Sequence, residues 1–314
     1  MIGGTGAGHT PLQEAPALAR WVGVQQLWLK REDLNPTGSH KDRGAAEQVA
    51  ACLRNGQRVA VISSSGNAAL AAAARGTREG VQVVALLSPL TEPAKADAIR
   101  AAGGRVVVTT KPINYTIRLS RVCGWPDLRP SQSPDALRGF AGLGEELAAE
   151  LIDGAALFGY ASSGTTFEAI GTVLASSHRS VSLHPVQAGL VNGLSGQFGR
   201  VGDGRRSLVG DLGVKLTARA DTVVSIVRAS AGEAWWVDDV AIREAGAALE
   251  DNGHEVAPEC WAALAGARLA AVDGKASRVC LLLTGKSLRS TNGAPLPAPL
   301  ETFQAVLDAV SDLR

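Results

Sequence analysis

The sequence predicts an α/β chain of two domains, with open, mostly parallel sheets flanked by helices. Three observations carry this. Short runs rich in Val, Ile and Leu recur along the chain, at 59–62, 81–87, 106–108, 155–158, 181–183 and 279–283. Runs that are apolar at nearly every position suit strands buried on both faces. Between them lie stretches with helical spacing or strong helix formers, and that alternation builds a parallel sheet with helices on both sides. Hydrophobic residues make up 46% of the 314, enough for a substantial core in one large domain or two modest ones.

In chain order, residues 39–54 place Ala46, Val49, Ala50 and Leu53 on one stripe, and Gly56 follows as a stop. Ser39 and Asp42 stand at the spacing of an N-terminal capping box. After the strand at 59–62, residues 68–74 are almost pure alanine, the strongest helix former. Residues 139–152 and 258–272 are further helical candidates, and a helix through 167–174 follows the strand at 155–158. There is no internal repeat and no low-complexity linker.

Composition narrows the function. The formal net charge is +1 and no basic block stands out, which argues against nucleic acid or an anionic membrane surface as partner. Cys52, Cys123, Cys260 and Cys280 are scattered without a C-x-x-C pair, so reduced thiols are expected rather than a metal site or disulfides. No stretch reaches about 18 consecutive apolar residues, the length a bilayer span needs. The opening Met1-Ile2-Gly3-Gly4-Thr5 has no basic segment followed by an apolar one, so a cytoplasmic location is expected.

The chemistry concentrates in the run Leu29-Lys30-Arg31-Glu32-Asp33-Leu34-Asn35-Pro36-Thr37-Gly38-Ser39-His40-Lys41-Asp42-Arg43-Gly44. Its turn-forming Asn-Pro-Thr-Gly delivers Lys41 to the first turn of a helix. The positive end of the helix dipole disfavours an ammonium there, favouring the free amine that attacks a carbonyl. Two further loops follow predicted strands and open helices. One is Ser63-Ser64-Ser65-Gly66-Asn67-Ala68, the other Ser162-Ser163-Gly164-Thr165-Thr166. Unpaired backbone N–H groups at such helix starts point at whatever anion lies there. Read alone, each feature has a plain alternative. Lys41 would be a surface lysine, Asn67 a helix N-cap, and 162–166 a polar turn. His40 reads as a structural neighbour, and Trp235-Trp236 as core or interface packing.

Together these motifs resemble the fold-type-II (tryptophan synthase β family) pyridoxal-phosphate enzymes. The lysine run is similar to that family's Schiff-base motif, and its K-D-R-G ending is most similar to threonine synthase. Gly8-His9-Thr10-Pro11-Leu12 resembles the family's G-x-T-P-L opening, and His184-Pro185-Val186-Gln187 its H-x-V-Q strand. Pro258 to Gly266 resembles E-P-x-x-A-A-A-L-A-G, with Ala257 where the Glu usually stands, and Leu283-Thr284-Gly285 resembles L-T-G. Residues 124–140 resemble the threonine synthase stretch N-S-x-x-P-x-x-x-E-G-x-K, but Arg138 replaces its Glu and Ala141 its Lys. The resemblance covers about residues 8–290.

The resemblance implies covalently held pyridoxal 5'-phosphate, a small-molecule amino-acid substrate, no metal, and a homodimer. It places 1–45 and 141–314 in a large cofactor-binding domain and 46–140 in a smaller mobile substrate domain. Lys41 would hold the cofactor and move the α-proton. Ser162, Ser163, Gly164, Thr165 and Thr166 would bind its phosphate, Asn67 its phenolic oxygen and Thr284 its ring nitrogen. Ser64, Ser65, Gly66 and Asn67 would bind the substrate carboxylate. The most specific activity implied is that of threonine synthase, a lyase turning O-phosphohomoserine and water into threonine and phosphate. The alternative is a serine or threonine dehydratase or a cysteine synthase-like enzyme, although Ala68 stands where cysteine synthases have Thr. A non-catalytic relative is the alternative of another class.

Overall fold

Two parallel sheets organise the protein. The computed structural model describes residues 6–202, 204–210, 217, 219–287 and 293–314; the opening Met1-Ile2-Gly3-Gly4-Thr5 lies outside them. The first elements are β1 (Leu12–Glu14), α1 (Pro16–Val22), β2 (Gln26–Lys30), α2 (Lys41–Arg54), β3 (Val59–Ile62), α3 (Asn67–Glu79) and β4 (Gln82–Leu87). Next come α4 (Pro93–Ala101), β5 (Arg105–Val108), α5 (Pro112–Cys123), α6 (Pro134–Glu150), β6 (Ala155–Tyr160), α7 (Thr165–Ser176) and β7 (Val181–Ala188). The last are α8 (Ala220–Ala229), β8 (Trp235–Val237), α9 (Asp239–Asp251), α10 (Pro258–Val272), β9 (Arg278–Leu282) and α11 (Phe303–Asp308). Among the described residues, no helix is long and apolar enough to cross a membrane.

The chain divides into two compact units. One comprises Met1–Ala7, Lys41–Gly139 and Leu288–Arg314, the other Gly8–His40 and Phe140–Ser287. The second unit holds a six-stranded sheet in the order β1-β2-β9-β6-β7-β8. Only the edge strand β1 runs antiparallel; the others are parallel. The last strand in sequence, β9, lies between β2 and β6. One face is covered by α1, α9 and the almost wholly apolar α10, which buries Cys260, Leu264 and Ala267. The other face packs Leu143 and Leu147 of α6, Phe167 and Ile170 of α7, and Val223 and Val227 of α8.

The first unit holds the parallel sheet β3-β4-β5. Val49 of α2, Ala69 and Ala72 of α3 and Ile99 of α4 pack on one face. Tyr115 and Leu119 of α5 and Val306 of α11 pack on the other. The helix α6 begins in this unit, where Gly139 passes so close to α2 that a Cβ would stand 2.2 Å from the Arg43 carbonyl oxygen.

The mixed, mostly parallel architecture is the one expected, and the expected strands and helices are present with shifted ends. The edge strands β1 and β8, the strand β2, and helices α1, α4, α5, α8, α9 and α11 were not anticipated. Residues 293–314 lie in the unit of 41–139, whereas the sequence reading grouped them with 141–287. Specific bonds hold them there. Thr109 pairs with Leu300, Tyr115 Oη donates to the Glu301 carbonyl at 2.6 Å, and Arg105 Nη2 donates to the Ala309 carbonyl at 2.8 Å.

One charged cluster is deep in the second unit. Lys30, fully buried at the end of β2, sets its ammonium 2.8 Å from Glu146 and 2.7 Å from Glu150, one turn apart on α6. It also donates to the Thr10 carbonyl at 2.7 Å. Thr10 Oγ1 donates to Glu32 at 2.5 Å, and Asn35 Nδ2 donates to Glu32 at 2.9 Å. The Gly8 amide donates to Asn35 Oδ1 at 2.9 Å. Removing one partner of a buried ion pair leaves the other charge uncompensated. Lys30→Met is therefore expected to lower stability by about 3 kcal/mol, read as a reduced urea midpoint at unchanged slope. A loss within the scatter of surface substitutions would show that the cluster is not an anchor.

Candidate active site

In the second unit, the carboxyl ends of adjacent parallel strands carry the expected groups. Such ends are where open α/β sheets bind ligands. Beyond β9 lies Thr284, buried, its carbonyl accepting both the His40 amide at 3.0 Å and His40 Nδ1 at 2.9 Å. A carbonyl only accepts, so Nδ1 carries the proton. Ser39 bridges Gly285, and the Lys286 amide donates to the Gly38 carbonyl at 2.8 Å. Residues 38–40 are thus a short antiparallel strand on 284–286, and the chain leaves it directly into Lys41. His40 is thus held to the strand end at Thr284.

Thr284 Oγ1 has a partner that the sequence reading missed. Cys260, fully buried in the first turn of α10, sets its sulfur 3.6 Å from Thr284 Oγ1 and 3.6 Å from the Gly285 carbonyl. Burial pushes this thiol up to about 12, with the nearby Glu259 charge adding to the shift. A hydroxyl and an un-ionised thiol therefore stand together at this strand end.

The loop 162–166 follows β6, the strand beside β9, and opens α7. Gly164 is its cap residue at φ +85°, where an added Cβ would meet Val223 at 2.9 Å. No side chain caps the helix, and Ser163 Oγ and Thr165 Oγ1 lie 2.9 Å apart. First-turn amides of a helix have no intrahelical acceptor. The carboxylate of Glu168 in that turn is matched by Arg219, at 2.8 Å. Arg219 Nε is buried without a hydrogen-bond partner among the described residues. The loop thus combines helix-start amides with a tight backbone cradle, which suits an anion such as a phosphate.

In the first unit, Lys41 is the first residue of α2 and half-buried. The loop after β3 leads to Asn67, the first residue of α3. Gly66, in an extended conformation, is the cap, and no side chain caps the helix. Asn67 is therefore not an N-cap, so its amide side chain is not used in that way. The Gly66 amide donates to Ser64 Oγ at 3.3 Å. Arg138, which replaces a family Glu, is exposed and ion-paired with Asp135 one turn back. Arg129 is likewise held by Asp127.

The second unit thus brings together Thr284, Cys260 and the 162–166 loop along one sheet edge. The first unit carries Lys41 and residues 64–67 at the starts of α2 and α3. Each group, taken singly in its own unit, has the chemistry that one part of pyridoxal phosphate calls for: an amine for a carbonyl carbon, helix-start amides for a phosphate, a neutral hydroxyl for a ring nitrogen. Sequence reasoning also passed over Gln187, noted only as a motif letter. Its signal was an amide side chain near the end of the buried strand β7.

Comparison with known proteins agrees. The model of the pyridoxal-phosphate dependent enzyme family matches residues 4–285. A threonine synthase of Methanosarcina acetivorans is 41% identical over 80 residues, covering 26% of this chain and 20% of that protein. The chloroplastic biosynthetic threonine dehydratase 1 of Solanum lycopersicum is 33% identical over 150 residues, covering 46% and 25%. The matches thus span about a fifth to a quarter of these curated relatives. The solved serine racemase of maize superposes with a TM-score of 0.76 over 90% of this chain and 91% of that one. At 20% identity that likeness is one of fold. The chain belongs to the pyridoxal-phosphate-dependent enzyme family, and its cofactor is pyridoxal 5'-phosphate.

His184, the first residue of the H-x-V-Q motif, lies inside the sheet. It stacks on Phe158 with ring centroids 4.6 Å apart. Its Nδ1 accepts from Trp235 Nε1 at 3.1 Å, and Nε2 lies 3.0 Å from Ser182 Oγ. Burial, above all, pushes the imidazole down to about 4 from 6.5. Between those values the unfolded chain binds a proton that the folded one refuses, so stability rises with pH across that window and is lost as pH falls through it. At 1.36 kcal/mol per unit this amounts to about 3 kcal/mol. The stability gap between wild type and His184→Gln should therefore shrink by about 2–3 kcal/mol from pH 7 to pH 4.5 in urea titrations. An equal gap at both pH values would rule out a neutral buried imidazole.

Proposed function

We propose that this member of the pyridoxal-phosphate-dependent family is an amino-acid lyase whose reacting amine is Lys41. In this reading Lys41 holds the cofactor, is displaced by the substrate amine, and then receives and returns the α-proton at Nζ. Asn67 donates to the cofactor's phenolic oxygen. Ser162, Ser163, Gly164, Thr165 and Thr166 hold its phosphate, and Ser64, Ser65, Gly66 and Asn67 the substrate carboxylate. Pyridoxal phosphate, when bound, supplies an electron sink for the bond broken at the α-carbon.

The neutral strand end at Thr284 carries the reading. A carboxylate there would stabilise a protonated pyridine, whereas a hydroxyl backed by an un-ionised thiol does not. A less electron-poor ring disfavours long-lived carbanions and so favours elimination and replacement over transamination. Thr284→Asp should therefore raise racemisation or transamination relative to the lyase reaction by about tenfold, the equivalent of one charge-assisted hydrogen bond. An unchanged product ratio with cofactor bound would remove Thr284 from this role.

For the substrate, the first reading is O-phosphohomoserine, converted with water to threonine and phosphate. The K-D-R-G ending, the S-S-G-N-A loop and the L-T-G end support it, as does the likeness to threonine synthases. The second reading, deamination of L-serine or L-threonine, is favoured by one observation. Arg138 is spent on Asp135, and Ala141 offers no cation where the family stretch has Lys. Borohydride reduction of the purified enzyme should attach the cofactor to Lys41; a peptide map placing it on another lysine would overturn the central assignment. Phosphate release from O-phosphohomoserine, with threonine identified as product, supports the first reading. Keto acid from L-serine or L-threonine, with no turnover of O-phosphohomoserine, moves the enzyme to the second.

A further inference from the structure

Gln187 is fully buried in β7, a strand whose other polar residues are Ser182 and His184. Its amide is used to capacity. Nε2 donates to the Ala161 carbonyl and to Thr217 Oγ1, both at 3.2 Å. Oε1 accepts from the amides of Leu194 at 2.8 Å and Ser195 at 3.0 Å. Two donors and two acceptor sites are all an amide side chain has, and the two backbone N–H groups fix which end is the oxygen.

Two of these partners flank the loop 162–166. Ala161 is the residue from which the loop departs. Thr217 lies against its far side, its Cγ2 3.5 Å from where a Cβ on Gly164 would stand. It also touches Gly193, whose Cβ would fall 3.0 Å from Thr217 Oγ1. One side chain therefore joins the start of the loop, its flank and the turn at 194–195. We infer that Gln187 is the positioning residue of the phosphate loop, holding the first-turn amides of α7 where the cofactor phosphate meets them. This rests on the proposed reading of 162–166 as the phosphate site.

The test is Gln187→Glu, which is isosteric. An ionised carboxyl keeps both acceptor bonds, loses both donor bonds, and sets an anion against the Ala161 carbonyl. Protonation restores one donor, and burial raises the pH at which that happens. Among the described residues, the titratable groups on the elements beside it are His184 in the same strand, neutral down to about 4, Tyr160 in β6, whose hydroxyl burial pushes up, and the Glu168–Arg219 pair beside Gly164.

Purified holoenzyme is stripped and retitrated with pyridoxal phosphate and, separately, with pyridoxal, which lacks the phosphate. At pH 8 the ratio of the two affinities should fall by at least about tenfold relative to wild type, the equivalent of one such bond. It should recover toward wild type at pH 5.5. Thr166→Asp, placing a charge within the loop, should lower the ratio as well. If Thr166→Asp lowers it and Gln187→Glu does not, the positioning role is overturned and the loop reading stands. If neither lowers it, the loop is not the phosphate site and the inference falls with it. Should Gln187→Glu not fold, Thr217→Val removes one partner of the amide, and an unchanged ratio there overturns the role equally.

Discussion

The buried ammonium of Lys30 is the constraint on which the lysine run depends. A lysine without solvent contact is tolerated only if its three donors meet acceptors, and here they meet Glu146, Glu150 and the Thr10 carbonyl. Those contacts tie the end of β2 to α6 and to the chain's opening residues. Glu32 and Asn35 continue the network to Gly8. This explains why the opening G-H-T-P-L and the K-R-E-D-L-N-P run belong together although some twenty residues separate them: each satisfies the other's buried polar groups. The chain then has little freedom between 30 and 38, where it pairs with 284–286 and delivers Lys41 to the start of α2.

The same sheet edge then sets the electrostatics. Placing β9 between β2 and β6 makes Thr284 and the 162–166 loop leave adjacent strands in the same direction. At Thr284 the fold keeps charge out, since burial holds Cys260 as a thiol. At the loop it concentrates donors, and the Glu168 carboxylate that would oppose an anion is matched by Arg219. One end thus suits an uncharged heterocycle nitrogen and the other a dianion. The difference comes from burial at one place and helix-start amides at the other, not from any excess of charge in the chain, which is +1 overall.

Much of this was legible in the sequence, for physical reasons. Strands buried on both faces must be apolar throughout, so β3, β4, β5, β6, β7 and β9 announce themselves. The small and polar loops at their ends mark helix starts. The missed strands β1 and β8 are three residues long, too short to show a period. The strand β2 ends in Lys30, with Arg31 just beyond it, charges that look exposed until α6 and Asp33 supply partners. The attachment of 293–314 to the unit of 41–139 rests on backbone carbonyls receiving side chains from nearly two hundred residues away, which no local pattern encodes. Gln187 and Cys260 were visible as residue types, but their roles depend on partners brought close only by the sheet. For Asn67 the plain alternative of a helix cap does not hold, because Gly66 takes that position.

What separates the two substrate readings is how anions are met in the first unit. A phosphorylated substrate brings a second dianion besides the cofactor's. The arginines of the 124–140 stretch do not answer it, because Arg129 and Arg138 are each held by an aspartate close in sequence. The start of α3 offers amides and roughly half a positive charge from its dipole, which suits an anion such as a carboxylate. Arg43 is a further cation beside the lysine, but it is buried in α2 and its carbonyl faces Gly139 across the close helix contact. The lysine run is common ground for both chemistries, which is why the resemblance to threonine synthase and to threonine dehydratase can hold in the same chain.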